Sequence, residues 1–132
     1  MDNSILVGKY IMKILKANQA LLSMVPEKHI YAVIAHEDTP FPYIVYSVQL
    51  NVTYTKDVLG AVGHYNTATI TVDVFGETYS ESAVIANQVR AALENYGYRD
   101  QDIKVAPIEL DSTIETYDDC FVHTLIFRAD IQ

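Results

Sequence analysis

An α+β sandwich of two layers is the fold class that this sequence predicts, with a mainly antiparallel sheet of about four to five strands and two main helices on one face. Three observations predict it. Two long runs, at positions 43–55 and 65–75, alternate with period two and follow one another as the arms of a hairpin do. Two other segments, near the start of the chain and after position 78, repeat apolar residues every three or four positions, as helices that bury one side do. The order is helix, short strand, two long strands, helix, two strands, and strands joined by hairpins gather their helices on one side instead of building a parallel α/β fold.

Asp2, Asn3 and Ser4 are good helix N-caps, and behind them Val7, Ile11, Ile14 and Leu15 form a stripe with Lys9, Lys13 and Lys16 on other faces. That spacing predicts an amphipathic helix of about three turns. Asn18 stands before residues 19–25, a second short helix or a continuation of the first, which Pro26 ends in either case. Residues 29–34 are apolar and partly β-branched and read as a short strand, and residues 36–42 as a rigid polar loop holding Pro40 and Pro42. In the first long run Ile44, Tyr46, Val48, Leu50, Val52 and Tyr54 share one face, and in its return arm Ile70, Val72 and Val74 do. Gly76 breaks the return arm. Thr78 with Glu81 three residues on makes a capping box, Ile85, Val89, Ala92, Leu93 and Tyr96 the stripe of the helix it opens, and Gly97 its left-handed C-terminal residue. Beyond a charged turn at 98–102, residues 103–108 and 120–131 supply two more strands, joined through a polar segment at 110–119 whose positions 114–117 can extend the first. Phe121, His123, Leu125, Phe127 and Ala129 oppose Cys120, Val122, Thr124, Ile126 and Arg128, so both faces of the last strand are partly apolar, and either a central place in the sheet or a strand covered on both sides is expected.

With 132 residues, 50% of them hydrophobic, the chain fits one domain over 1–132 that buries a core without disulfides or a structural metal. Its one cysteine forms no internal bridge, and with no positively charged leader ahead of an apolar run the expectation is assembly in the cytoplasm. No uncharged apolar stretch reaches the ~18 residues that a membrane span needs. Nine Lys and Arg against 17 Asp and Glu leave a net charge of -8, and the cations are scattered, which disfavours nucleic-acid recognition.

Chemistry is sparse in the pattern. His29, His36, His64 and His123 stand at no metal-binding spacing from one another or from Cys120, so no metal or cofactor is expected. His123 near Asp118 or Asp119, or His64 with some carboxylate, is the only arrangement that a small hydrolase could use; a strand histidine beside aromatics is more simply a packing residue. Asp118 and Asp119 would raise the Cys120 thiol pKa and leave a buried, inert strand cysteine. No serine stands in a nucleophile elbow and no glycine run makes a phosphate loop, so no catalytic residue is assigned.

Two features point to protein surfaces instead. Ten tyrosines with no tryptophan suit a protein that binds other proteins, although Tyr46, Tyr54 and Tyr96 fall on core-facing stripes. Residues 56–64, which link the two long strands, exceed what a tight hairpin needs and carry Val58, Leu59 and Val62 beside Gly60 and Gly63. A solvated loop has no use for those side chains unless something covers them, either their own domain or a neighbouring subunit. Lys56, Val58, Leu59, Val62 and Tyr65 are therefore the candidate contact between subunits.

Several local signatures then carry a resemblance: residues 18–25 after the first helix, His29-Ile30-Tyr31, Phe41-Pro42-Tyr43-Ile44-Val45-Tyr46, the run from Ala68 through Val72-Asp73-Val74-Phe75, and the helix at 83–93. In order and spacing, over about residues 5–131, the chain resembles the tail-completion or tail-terminator proteins of long-tailed bacteriophages and prophages. It departs from many relatives at Phe75, where a tryptophan often stands, and in a longer segment at 110–119. The resemblance implies a structural, non-enzymatic virion protein. Its subunits would form a ring, commonly of six, on the end of the tail tube, stop tube polymerisation and prepare head attachment. The implied partners are the tail tube protein, a head-completion or connector protein, and further copies of the chain. A head–tail joining or minor tail protein on a similar scaffold is the alternative.

Overall fold

A computed structural model describes residues 3–57, 59–101 and 103–131. Its elements run α1 (Val7–Ala17), α2 (Gln19–Leu22), β1 (Ile30–Ala32), β2 (Tyr43–Lys56), β3 (Val62–Gly76), α3 (Tyr79–Leu93), β4 (Tyr98–Arg99), β5 (Lys104–Val105), β6 (Glu109–Tyr117) and β7 (Phe121–Ile131). The strands form one sheet in the order β1-β2-β3-β7-β5-β4, with β6 paired to β7 on the side that β5 also uses. Only β1 and β2 run parallel, so the sheet is mixed.

Register sets the core. Ile44 lies opposite Val74 and Tyr46 opposite Val72, while Val72 and Ile70 lie opposite Leu125 and Phe127 on the other side. With period two all of them project from one face, and onto that face α1 turns Val7, Ile11, Ile14 and Leu15 and α3 turns Ile85, Val89, Ala92 and Leu93. Phe127, Leu15, Leu93, Ile70 and Ile44 are fully buried there, each worth about 1.5–3 kcal/mol of apolar transfer. The Tyr46 hydroxyl, carried into this layer, donates to the Gly8 carbonyl at 2.8 Å, which bolts β2 to the start of α1.

The expected order of elements is present and the helix stripes are the buried ones, with several differences. Among the described residues seven strands replace the four to five expected, because β4 and β6 stand as strands of their own, while the strand expected over 103–108 shrinks to β5. Neither Asn3 nor Ser4 caps α1: Leu6 precedes it with no side-chain cap, and Ser4 is buried, accepting a hydrogen bond from Asn66 at 3.1 Å. Asp2 and Asp102 lie outside the described residues. Asn18 does cap α2, its side chain accepting from the Leu21 amide.

The first short strand stops at Ala32, since Val33 turns to φ 70° and Ile34 donates back to the Ala32 carbonyl. Thr78 caps α3 by accepting from the Glu81 amide at 3.1 Å, while the Glu81 carboxylate reaches back one residue further, to the amide of Glu77. After α3 it is Asn95 that takes the left-handed conformation, at φ 64°, and not Gly97; its amide donates to the Ile108 carbonyl. Cys120 sits half-buried in the β6–β7 turn rather than within a strand. Of the three tyrosines expected in the core only Tyr46 is buried; Tyr54 and Tyr96 are exposed.

Candidate assembly surface

The core face is covered as far as Leu50 on β2 and Asn66 on β3, and beyond that the two strands leave the body. From Asn51 to the turn and back to Tyr65 every described residue is exposed. The ladder continues through Thr53↔Tyr65, Tyr54↔His64, Thr55↔Gly63 and Lys56↔Val62, whereas β7 stops pairing with β3 at Asn66↔Ile131. Lys56 stands six positions beyond Leu50, so this two-stranded arm extends about 20 Å past the last covered residue of β2, at about 3.3 Å per residue. A lone two-stranded ribbon gains little from its own contacts in water.

Its tip is built on Asp57. The carboxylate Oδ1 accepts from the amides of Leu59 at 2.8 Å and Ala61 at 2.9 Å, the Asp57 amide donates to the Ala61 carbonyl, and Gly60 supplies the φ of 89° that the turn requires. Lys56 and Val62 close the strand ladder, so the loop is tighter than the nine-residue connection expected from the sequence. Leu59 is 91% exposed, Val62 69% and Tyr65 54%; Val58 lies outside the described residues.

The candidates do not all share a face. Lys56 and Val62 lie on the side that continues the core face, together with Val52, Tyr54 and His64, while Tyr65 points to the opposite side with Thr53. The Tyr54 and His64 rings lie 6.0 Å apart across the ribbon. Val52 and Tyr54 belong to this apolar surface. In the sequence their alternation is indistinguishable from that of Ile44 and Tyr46, and only the missing cover separates the two pairs.

The hydrolase arrangement looks different once placed. His64 is on the arm, and His123 faces neither Asp118 nor Asp119, because the β6–β7 register sets Glu115 opposite it. Its Nε2 lies 3.3 Å from Glu115 Oε1 and its Nδ1 2.7 Å from Ser82 Oγ. Ser82 is fully buried and donates its proton to the Val74 carbonyl at 3.0 Å, and Gly76 packs so closely on it that an added Cβ would stand 2.8 Å from the Ser82 amide. No substrate reaches that hydroxyl. The Tyr79 hydroxyl donates to Glu115 at 2.8 Å, which raises the Tyr79 pKa, so the group ties the β6 edge to the start of α3.

Burial first, and then Asp118 and Asp119, push the Cys120 thiol up, away from thiolate chemistry. Among the described residues no group of three or more His, Cys, Asp or Glu could hold a metal ion, and no helix is long and apolar enough to cross a membrane.

A family model described as tail completion protein gp17 matches residues 9–131 of the chain. No curated protein is significantly similar to it in sequence. Among solved structures, one chain from the virion of a native gene transfer agent particle superposes with a TM-score of 0.74 at 15% identity, over 92% of this chain and 90% of that one. The gp17 protein of bacteriophage SPP1 superposes with a TM-score of 0.55 at 20% identity, over 98% of this chain and 91% of that one.

Proposed function

The chain belongs to the family of tail completion protein gp17, which makes it a structural phage tail protein, and from that premise we propose that it caps the tail tube as a ring of identical subunits, a hexamer, ending tube polymerisation and preparing head attachment. The observation that carries the reading is the β2–β3 arm, whose described apolar residues stand exposed on their own subunit. A ring needs contacts between two different patches of one chain, and a projecting apolar arm supplies one of them. The arm residues Lys56, Leu59, Val62 and Tyr65, and with them Val58, which lies outside the described residues, are the proposed contact between subunits. The tail tube protein and a head-completion or connector protein are the proposed partners at the two ring faces, and no catalytic step is assigned.

Electron microscopy of lysate from a phage or prophage lacking this gene tests the reading. Tails of uncontrolled length, unattached to full heads, are the expected result. Tails of normal length beside separate heads would assign the chain to head–tail joining instead, and intact particles would overturn both.

A further inference from the structure

Whatever receives the arm must be apolar and poor in carboxylates, and a groove among the described residues is both. We propose that the arm of one copy docks into the groove between α1, β1 and β2 of the next copy; the proposal rests on the reading of the arm as a contact between subunits and names its receptor. The groove has a volume of about 630 Å³, and its walls include Ile5, Leu6, Met12, Val33, Val48 and Leu50. Ile5 is 82% exposed, beside Leu6, which is exposed as well.

A second observation comes from the backbone. Val33, with φ 70°, sits at the centre of a γ-turn closed by the hydrogen bond from Ile34 to Ala32, a conformation that a β-branched residue adopts only under strain. Val33, which lines the groove, and Ile34, next to it in the chain, both stand exposed to solvent at this turn. Strain of this kind persists where a surface has a use for it.

Charge selects the occupant. The chain carries -8, yet the groove lining contains no carboxylate and a single cation, Lys9. The arm, residues 51–65, holds one cation, Lys56, and one carboxylate, Asp57, and so bears no net charge. Two amides take Asp57 Oδ1, which leaves Oδ2 to meet a cation such as Lys9. Among surfaces of like-charged copies, these two can meet without repulsion. Arm and groove are different patches, so the contact is head-to-tail and propagates until a ring closes.

The test places the photo-cross-linker p-benzoylphenylalanine at Leu59 and irradiates the purified chain, mixed with a 15N-labelled copy at high concentration, before peptide mapping. Mixed-isotope cross-links to Leu6, Met12 or Val33 are expected, with the yield falling at least about tenfold when the labelled copy carries Leu6→Asp, as a carboxylate forced into an apolar contact requires. Leu6 is exposed, so that variant folds. Cross-links between copies at other segments would overturn the groove and leave the arm as a contact between subunits. Cross-links confined to single chains would overturn both.

Discussion

Val33 and Asn95 share a positive φ, 70° and 64°, and differ in what it costs. Asparagine tolerates the left-handed region and closes α3 there at little expense, whereas valine crowds its own carbonyl. Val33→Gly is therefore expected to raise stability by about 1 kcal/mol, the relief of strain exceeding the entropy that glycine adds to the unfolded chain, and to weaken association between copies. Asn95→Val should lower stability by about 1 kcal/mol. Urea midpoints measured on both variants check the opposite signs. Cys120 gives a pH test at the same scale. Since its pKa is raised, the thiolate appears later than in a free thiol, and alkylation by iodoacetamide should climb with a midpoint above the ordinary thiol value. Asp118→Asn with Asp119→Asn should move that midpoint down while leaving the contribution of burial in place.

The β2–β3 arm makes the prediction that belongs to an element. Replacing residues 54–64 with Asn-Gly, which closes a two-residue hairpin, removes no buried side chain, so the thermal midpoint should stay within the small range of surface changes while self-association is lost. A large fall in the midpoint would assign those residues to the fold. The paired point variant, Leu59→Asp with Val62→Asp, should behave alike in sedimentation velocity.

At this scale the alternation of Ile44 to Tyr54 revealed β2 to within a residue of its end, because period two is a local property. It could not reveal where the cover stops, and so Val52 and Tyr54 looked like core. β6 was legible only in its last part, positions 114–117, for the opposite reason: Glu-Leu-Asp-Ser-Thr-Ile-Glu-Thr-Tyr is an edge strand nearly exposed throughout, so it carries little apolar period to read. Leu59 and Val62 were legible as apolar residues among glycines. The groove was not, since Leu6, Val33 and Val48 meet only after folding.

Over the whole molecule the charge of -8 sets how copies approach one another. Like charges oppose association of free subunits, and added salt shortens their reach from ~30 Å at 0.01 M to ~8 Å at physiological strength. Self-association should therefore strengthen between low and physiological ionic strength. Sedimentation equilibrium at the two strengths checks this, and indifference to salt would show that like-charge repulsion does not restrain association of the copies. Apolar contact through the arm predicts the same insensitivity to further salt once screening is complete.

The place of β7 carries a consequence for the order of folding. It is the last strand along the chain, yet it lies between β3 and the β5–β6 side and brings Leu125, Phe127 and Ala129 to the centre of the buried layer. Its partner β3 stands some fifty positions earlier, so the nucleus must close a long loop before α3 has a complete surface to settle on, and a rate in the slow range of mixed folds follows. Truncating Phe127 should slow folding as well as destabilise, whereas changes in the arm should leave the folding rate untouched. A subunit thus completes its body before its arm matters, and the copies that meet through the proposed contact are finished parts.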